Sequence, residues 1–310
     1  MKSNQNYLIV VVGPTAIGKT ALSIELAQYF GCDIVSCDSR QFYKEMTIGT
    51  AVPSPEELAI VQHHFIQNKS IKEDYSVGMY EAEVLPLLDR LFQKRNIQVL
   101  VGGSGLYVDA VLKGFDVFPE VSEQIKDDIE QKYQEFGLKY LQDLLEKLDP
   151  YYFSHLKESN PQTLVNPQRM KRFVSVCIAA NAPYSSFLNQ KKHIRNFIPV
   201  LIGLEAERAV MYERINLRVD LMMQQGLFEE VKALQPQQSL NALQTVGYRE
   251  LFSCLNGAIS LDEAVEEIKK NTRRFAKRQL TWFKNNSDIR WFSFREPVQN
   301  ILNYINEFTR

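Results

Sequence analysis

One short segment limits the possible folds of this chain more than any other, the loop sequence GPTAIGKT at residues 13–20. It matches G-x-x-x-x-G-K-[ST] at every fixed position and lies between an apolar, β-branched run at 7–12 and a helix-forming stretch at 20–30. Glycines in such a loop let backbone N–H groups turn toward an anion, and the following helix adds its positive end. The segment therefore predicts a di- or triphosphate site. It leaves the reaction open, because kinases, motors, GTP switches and transferases all carry this loop.

The order of the predicted elements gives the fold class. A second short strand ends at Asp38, and further strands are predicted at 97–101 and 198–204, with helices from about 105 and over 208–217. Strands that alternate with helices predict an α/β fold, a doubly wound parallel sheet resembling that of P-loop NTPases. Ligands of such sheets bind at the carboxyl ends of strands, where the 13–20 loop, Asp38 and the GGSG turn at 102–105 all fall.

The pattern changes between residues 118 and 196, where the periodicity is helical and no strand is indicated. We predict an all-helical insertion at 118–196, within an α/β core formed by 1–117 and 197–310. The C-terminal third is helical again: Ser260 and Glu263 form a capping box that begins a long helix. The residues predicted to form its buried face are Leu261, Val265, Ile268, Thr272, Phe275 and the stretch 279–283.

Composition excludes several classes of protein. The 310 residues include 36 basic and 37 acidic ones, a formal net charge of −1, so the chain as a whole is not a polybasic nucleic-acid binder. Its 4 cysteines are scattered without a C-x-x-C pair, which argues against a zinc module and fits a reducing compartment. No signal peptide is recognisable, and no stretch approaches the ~18 apolar residues of a membrane helix. We expect a soluble cytoplasmic protein.

The position of the acidic residues is unusual for an enzyme that hydrolyses ATP or GTP. Such enzymes normally hold Mg²⁺ with an acid at the end of a second apolar strand, whereas the strand at 97–101 runs into Gly102-Gly103. Asp38 is then the one well-placed acid. It could be a metal-side carboxylate, a general base facing an acceptor, or simply a capping or turn aspartate.

Basic residues are concentrated at 269–284, a stretch without any acid; they are Lys269, Lys270, Arg273, Arg274, Lys277, Arg278 and Lys284. Such a run is either a solvated face or, with the nearby rings of Tyr248, Phe275, Trp282 and Phe283, an RNA-binding surface. Smaller basic clusters occur at 169–172 and 191–195.

Two other pairs have alternative interpretations. Arg214 and Arg218 could reach a phosphate or could pair with Glu213 and Asp220. For His63 and His64 a structural role is favoured over metal binding, because no other ligand stands at metal spacing.

Taken together, the motifs resemble those of the tRNA dimethylallyltransferase (tRNA isopentenyltransferase) family in its bacterial form, over nearly the whole chain. They are GPTAIGKTALSIELA, DSRQFYKEMTIGTAVP, HHFI, YSVGMYE, VGGSGLYVDAVLKG, NPQRMKR, RINLRVDLMMQQGLFEEV, VGYRE and KRQLTWFK, in the family's order. The resemblance implies transfer of a dimethylallyl group from dimethylallyl diphosphate to the N6 amine of adenosine 37, next to the tRNA anticodon. It also implies help from Mg²⁺, release of diphosphate, and a monomer with no membrane association.

The resemblance also assigns roles to single residues. Asp38, Lys19, Thr20 and Arg218 would be catalytic: Asp38 would accept a proton from the adenine amine, Thr20 would bind Mg²⁺, and Lys19 and Arg218 would face the leaving group. The diphosphate would be held by Gly13, Pro14, Thr15, Ala16, Ile17, Gly18, Lys19 and Thr20. Ser39, Arg40 and Gln41 would line the flipped base. With Asp38, the residues placed at the tRNA are Ser39, Arg40, Gln41, Ser104, Lys126, Gln168, Arg169, Met170, Lys171, Arg172, Thr245, Val246, Gly247, Tyr248, Arg249, Lys277, Arg278, Gln279, Leu280, Thr281, Trp282, Phe283 and Lys284.

The chain departs from the family pattern in one respect, since Val52 stands where the family usually has lysine, and any contact of that lysine is lost or moved. Three other functions stay open at this point. An adenylate isopentenyltransferase would prenylate a free nucleotide, a P-loop small-molecule kinase would use the same loop for ATP, and a non-catalytic RNA-binding protein would keep the loop as a relic.

Overall fold

The computed structural model describes residues 5–188 and 194–309, and its centre is a six-stranded sheet in the order β3-β2-β4-β1-β5-β6. Every strand pair in it is parallel. This confirms the predicted doubly wound α/β sheet. The strands are β1 (Asn6–Val12), β2 (Ile34–Ser36), β3 (His63–His64), β4 (Ile97–Val101), β5 (Phe197–Glu205) and β6 (Arg290–Ser293).

Helices connect the strands and, with loops, form the rest of the described chain. They are α1 (Lys19–Phe30), α2 (Pro55–Ile60), α3 (Val77–Lys94), α4 (Gly105–Leu112), α5 (Glu123–Leu148), α6 (Pro150–Ser159), α7 (Pro161–Leu164), α8 (Pro167–Ala180), α9 (Arg208–Gln224), α10 (Leu227–Leu234), α11 (Tyr248–Leu255), α12 (Leu261–Lys284) and α13 (Val298–Thr309). Short 3-10 turns occur at Tyr184–Phe187, Gln235–Gln237 and Asn241–Leu243. Within 5–188 and 194–309, no helix combines the length and the apolar character needed to cross a membrane.

Strand β1 is in the middle of the sheet because its side chains are apolar on both faces. Leu8 and Val10 pack into one core with residues of α3 and α4, whereas Ile9 and Val11 pack into a second core with residues of α1 and α13. The strand pairs with β4 on one side and β5 on the other. Burial on both faces is the general condition of a central parallel strand, and it brings the carboxyl ends of β1, β2 and β4 together at one edge.

Two strands were not predicted from the sequence. Strand β3 has 2 residues, and β6 has 4 residues with exposed side chains at both of its ends. Both are edge strands, so neither needs the continuous apolar run by which a central strand is recognised.

The chain folds into two compact units, Met1–Lys113 with Arg195–Arg310, and Gly114–Ile194. The second unit, in its described part, consists of helices α5 to α8 and a 3-10 turn around its own core, to which Leu141, Leu145 and Met170 contribute fully buried side chains. Helix α5 is interrupted at Gly137, whose φ of 72° is accessible to glycine at little cost. The sequence prediction had put the insertion at 118–196.

Helix α12 begins with the predicted capping box, in which Glu263 N–H donates to the Ser260 hydroxyl and Ser260 N–H donates to the Glu263 carboxylate. Its buried side chains are Ala264, Ile268, Ala276, Gln279 and Phe283. The prediction that Leu261 and Phe275 belong to this buried face is wrong, because they are 41% and 38% exposed. It is also wrong for Thr281 and Trp282 of the stretch 279–283, which are exposed. Phe275 faces a cleft at the edge of the sheet, which explains its exposure.

Candidate active site

Two adjoining cavities lie at the carboxyl ends of the central strands, with volumes of about 370 Å³ and about 630 Å³. The smaller one is lined by residues 15–20 of the glycine loop, and the larger one by the turn at 103–107 and by residues of α9, α11 and α12. Six residues line both cavities, namely Thr15, Asp38, Thr50, Arg218, Phe275 and Gln279. The volumes are typical of small-molecule sites.

The glycine loop has the backbone shape that a phosphate site needs. Gly18 has a φ of 107° at the start of α1, a conformation that other residues rarely adopt. Thr15 to Thr20 all line the smaller cavity. Gly13 and Pro14, which were also predicted to bind diphosphate, are buried and do not line the cavity. A Cβ atom at Gly13 would lie 2.6 Å from the carbonyl oxygen of Leu204, so only glycine fits between β1 and β5 here.

Lys19 lies inside the loop, and its Nζ donates a hydrogen bond to the Pro14 carbonyl oxygen at 2.8 Å. Burial lowers the pKa of Lys19 from 10.5 to about 8; the nearby Arg218 also lowers it, while Asp38 raises it. An ammonium group that is short of negative partners is prepared to bind an anion. The predicted role of Lys19 at a phosphate is consistent with this environment.

Arg214 and Arg218, on consecutive turns of α9, both point at the glycine loop. The Arg214 Nε donates to the Ala16 carbonyl oxygen at 2.8 Å, and an Arg218 Nη lies 3.5 Å from the Thr15 hydroxyl. Burial lowers the pKa of Arg218. Of the two interpretations of this pair, the structure favours the phosphate site, since Asp220 forms its ion pair with Lys269 at 2.9 Å.

Asp38 follows β2 and separates the two cavities. Its Oδ1 accepts a hydrogen bond from Arg40 N–H at 3.1 Å, and its own N–H donates to the Ser36 hydroxyl at 3.3 Å. Asp38 therefore stabilises the turn, as one of its three interpretations proposed. The carboxylate can accept further hydrogen bonds, because it has acceptor sites on two oxygens. Asp38 can fix the turn and still accept a proton from a group in the larger cavity.

The residues after Asp38 divide between the cavities. Ser39 and Arg40 line the larger one, where the Ser39 hydroxyl is 3.1 Å from that of Ser104 and Arg40 donates to the Ala242 carbonyl oxygen at 2.8 Å. Gln41 differs from the prediction that it lines the same base site. It borders the smaller cavity, and its Nε2 donates to the carbonyl oxygens of Thr50 and Ala51 at 3.2 and 2.8 Å.

Strand β4 ends without the acid that P-loop hydrolases carry there, and the side chain of Gln279, from α12, occupies that place. A Cβ atom at Gly103, after β4, would lie 2.3 Å from the Nε2 of Gln279. Gln279 is 5% exposed, donates to the Gly103 carbonyl oxygen at 2.9 Å and accepts from Thr15 N–H at 2.9 Å. Its side chain lies between the two loops and lines both cavities, and its predicted contact with tRNA stays a prediction. Its linking role was missed because no sequence signal shows that Gln279 of α12 contacts the turn after β4.

Comparisons with known proteins agree with these motifs. The sequence model of the family described as IPP transferase matches residues 41–286. A tRNA dimethylallyltransferase of Flavobacterium johnsoniae is 60% identical over 301 residues, covering 97% of this chain and 97% of that protein. The chain belongs to the tRNA dimethylallyltransferase family. The resemblance inferred from the sequence is thereby confirmed.

Solved structures extend the likeness to three dimensions. A tRNA isopentenylpyrophosphate transferase from Bacillus halodurans is 34% identical, with a TM-score of 0.71 over 98% of this chain and 96% of that one. A eukaryotic dimethylallyltransferase acting on tRNA has a TM-score of 0.82 at 23% identity, over 98% of this chain and 79% of that chain. This second likeness supports the fold alone.

Within this member of the tRNA dimethylallyltransferase family, the predicted tRNA-contacting stretches are partly buried. Met170 and Tyr248 are 0% exposed and Phe283 is 3% exposed, so the prediction of tRNA contact is wrong for these three side chains. These three residues lie at buried positions inside stretches that the family resemblance assigned to tRNA contact without a break. Residues of those stretches that are exposed or line the larger cavity are Gln168, Arg169, Arg172, Thr245, Val246, Gly247, Arg249, Lys277, Arg278, Gln279, Thr281, Trp282 and Lys284, and Leu280 is half-buried.

The basic face of α12 is less free than its sequence indicates. Lys269 pairs with Asp220 and Glu266 at 2.9 Å, Lys270 with Glu267 at 2.7 Å, and Lys284 with Glu205 at 2.8 Å. The acids come from the preceding turn and from other elements, so the run itself does not show them. Lys277 and Arg278 form no ion pair with any residue of 5–188 or 194–309, and Arg278 lines the larger cavity.

Most of the other basic residues considered for tRNA binding already form ion pairs with carboxylates. In the helical unit Lys126 pairs with Glu123, and Lys171 pairs with Glu130 and lies 4.0 Å from the Tyr133 ring centre. Arg195 pairs with Glu81 at 2.8 Å. The adjoining basic residues 191–193 lie outside the described residues.

The two adjacent histidines have structural partners. His64 Nε2 is 2.8 Å from Asp33, and His63 Nδ1 is 2.8 Å from the Val61 carbonyl oxygen. Both contacts agree with the structural role favoured from the sequence.

Proposed function

We propose that this chain transfers a dimethylallyl group from dimethylallyl diphosphate to the N6 amine of adenosine at tRNA position 37. The observation that carries the proposal is the position of Asp38, which borders both cavities. On one side of Asp38 lies the glycine loop with Lys19 and Arg218. On the other side lies the larger cavity, whose lining includes exposed residues of α11 and α12. This is the arrangement that a donor diphosphate and an acceptor base require.

The donor would bind in the smaller cavity. The backbone N–H groups of the loop, Lys19 and Arg218 would hold the diphosphate and stabilise the charge that builds on it as it leaves. Leu217 and Leu221, which are 60% and 45% exposed, line the same cavity together with Phe275. Exposed apolar side chains around a cationic loop suit a ligand with an anionic head and a short apolar tail.

The acceptor would bind in the larger cavity. An adenine stacked in the anticodon loop has to be extruded to reach Asp38. Its N6 nitrogen then forms a bond to C1 of the dimethylallyl group, while the C1–O bond breaks and its electron pair leaves with the diphosphate. One amine proton passes to the Asp38 carboxylate.

Mg²⁺ belongs to the proposal as a cofactor. The smaller cavity offers hard oxygen ligands, the Thr20 hydroxyl and the Asp38 carboxylate. No group of three His, Cys, Asp or Glu residues able to hold a metal occurs in 5–188 and 194–309. Such a donor set fits Mg²⁺, which binds one or two protein oxygens plus substrate phosphates and keeps several waters. Thr20 would hold the ion, and the ion would stabilise the leaving diphosphate.

The proposed setting is a monomer in the cytoplasm. The four cysteines of the chain, Cys32, Cys37, Cys177 and Cys254, are free thiols, as in proteins of reducing compartments. Light scattering after gel filtration, with and without tRNA, measures the oligomeric state directly.

The test of function is incubation with labelled dimethylallyl diphosphate and one of three acceptors: a tRNA with adenosine at 36 and 37, the same tRNA with guanosine 37, or AMP. Label in the first tRNA alone supports the proposal. Label in AMP would identify an adenylate isopentenyltransferase. In a parallel incubation with ATP, turnover of ATP without prenyl transfer would identify a kinase. Binding of tRNA without any transfer would indicate a non-catalytic RNA-binding protein.

A further inference from the structure

A tight turn at residues 47–50 forms part of the wall of both cavities. Thr50 lines both of them, Gly49 lines the larger one, and Ala51 just after the turn lines the smaller one. Three consecutive backbone amides of this turn point at one side chain, the carboxylate of Glu230 on α10. Their nitrogens lie 3.0 Å (Thr47), 2.8 Å (Ile48) and 3.0 Å (Gly49) from its oxygens.

Tyr248 supplies a fourth donor. Its hydroxyl donates to Glu230 Oε1 at 2.6 Å, and its ring is 0% exposed. The ring also lies directly against Gly49, where an added Cβ atom would come within 2.5 Å of a ring carbon. Burial, and then the charge of Glu230, raise the pKa of Tyr248, so the phenol stays protonated as a donor. The turn is therefore held by three hydrogen bonds to one carboxylate and by contact with one ring, and a fourth hydrogen bond, from Tyr248, orients that carboxylate.

A chain of hydrogen bonds connects this anchor with Asp38. The carbonyl oxygens of Thr50 and Ala51 accept from Gln41 Nε2 at 3.2 and 2.8 Å. The Gln41 Oε1 accepts from the Ser36 hydroxyl at 3.4 Å, and the oxygen of that hydroxyl accepts from Asp38 N–H at 3.3 Å. A shift of the turn would reach Asp38 through two side chains.

We propose that Glu230 is a positioning residue for the transfer reaction. It lines neither cavity, yet its carboxylate sets the wall that donor and acceptor share and, through Gln41 and Ser36, the orientation of Asp38. Hydrogen bonds to a charged acceptor are stronger than neutral ones, so three of them from consecutive amides fix a short turn firmly, and the fourth, from Tyr248, fixes the acceptor. The inference rests on the proposed function for its catalytic consequence, whereas the anchoring of the turn can be measured without it.

The variants Glu230→Gln, Tyr248→Phe and Glu229→Gln test the proposal. Glu229 and Glu230 both lie in the first turn of α10, and Glu229 is exposed, so Glu229→Gln makes the same change of charge one residue away. In Glu230→Gln an amide NH₂ faces N–H donors that the carboxylate accepted from. Tyr248→Phe removes one donor and keeps the three backbone bonds.

The first measurement is hydrogen exchange of peptides covering 41–53 in the absence of substrate. We expect faster exchange at 47–49 in Glu230→Gln and wild-type exchange in Glu229→Gln. The second is steady-state kinetics, in which kcat of Glu230→Gln should fall about tenfold, with a smaller loss in Tyr248→Phe. Melting temperature and the active fraction, from stoichiometric donor binding, separate a positioning effect from loss of folded protein.

Unchanged exchange at 47–49 in Glu230→Gln would overturn the anchor itself. Faster exchange with a kcat per active site equal to that of Glu229→Gln would leave the anchor without a role in the reaction and would overturn the proposal. If Glu230→Gln does not fold, Tyr248→Phe decides: faster exchange at 47–49 with a lower kcat supports the proposal, and wild-type values overturn it. Failure of the wild-type protein to prenylate tRNA would instead contradict the proposed function, and the exchange result would stand.

Discussion

The side-chain oxygen of Gln279 accepts a hydrogen bond from the backbone N–H of Thr15 at 2.9 Å, although the two residues are 264 positions apart. Its amide nitrogen donates to the Gly103 carbonyl oxygen at the same distance. One neutral side chain of α12 thus ties the phosphate loop to the turn after β4. In P-loop enzymes that hydrolyse ATP or GTP, the end of a second apolar strand carries a metal-binding acid. In this chain the Gln279 side chain occupies that place and links the two loops.

Replacing Gln279 should damage the donor site. Gln279→Leu leaves the buried Gly103 carbonyl oxygen without its partner, at about 1–3 kcal/mol in unfolding free energy, and the partly buried Thr15 N–H without its partner at a smaller cost. Gln279→Glu keeps the acceptor for Thr15 but brings a negative charge to the diphosphate site. We expect affinity for dimethylallyl diphosphate to fall in the order wild type, Leu, Glu, as measured by titration calorimetry. Wild-type affinity in Gln279→Glu would contradict this account of the link.

Asp38→Asn should slow transfer strongly and leave both substrates bound. The amide keeps the size of the side chain but cannot take a proton, so kcat should fall by about 10²–10⁴. Dissociation constants for tRNA and for the donor should stay close to those of the wild type. Asp33→Asn, at the other end of β2 and bonded to His64, is the matched control and should keep its activity. A large loss of tRNA binding with normal turnover would refute the assignment of Asp38 as base.

Binding of the donor should depend on pH through Lys19. Its pKa of about 8 in the empty site lies below its ordinary value because the buried ammonium is disfavoured, and a bound diphosphate would raise it again. Affinity should therefore be constant below pH 8 and fall by up to about tenfold per pH unit above it. Calorimetry in buffers of different ionisation enthalpy should show uptake of one proton at pH 9 and little at pH 7. Lys19→Met should bind the donor weakly, and its affinity should not fall above pH 8. If the affinity of Lys19→Met still fell with pH, a group other than Lys19 would cause the effect.

The lowered pKa of Lys19 also makes the free energy of unfolding depend on pH. Between pH 8 and the unfolded pKa of 10.5, the unfolded chain holds a proton on Lys19 that the folded chain lacks. The contribution of Lys19 to the free energy of unfolding therefore rises with pH across this window. Chemical denaturation at pH 8 and 10 should show a smaller rise for Lys19→Met than for the wild type. An equal rise in the two proteins would contradict it.

The cations of α12 should contribute unequally to tRNA binding. Lys277→Gln and Arg278→Gln remove exposed charges, and each should weaken binding and lower the slope of log affinity against log salt by about 1. Lys269→Gln and Lys270→Gln remove cations that already have carboxylate partners, and they serve as matched controls with smaller effects. Equal slopes for all four variants would show that the ion pairs open when tRNA binds.

The sheet and the phosphate loop could be predicted because their sequence signals are local. Tyr7 to Val12 is a continuous apolar run, and the loop needs only its own residues to be recognised. The roles of Gln279 and Glu230 could not be predicted, since each depends on a contact with a turn far away in sequence. The basic run of α12 was overestimated for the same reason, because Asp220 and Glu205 reach it from other elements.

The link from Gln279 to Thr15 also bears on how the protein is made. The ribosome synthesises the phosphate loop early relative to its partner, because the side chain that completes its hydrogen bonding follows some 264 residues later. Nascent chains therefore carry the recognisable loop sequence long before they can hold a donor in it. Because the last contact to form has high sequence separation, closing this site should be a late and slow step of folding. Partial chains should not sequester dimethylallyl diphosphate in the cell.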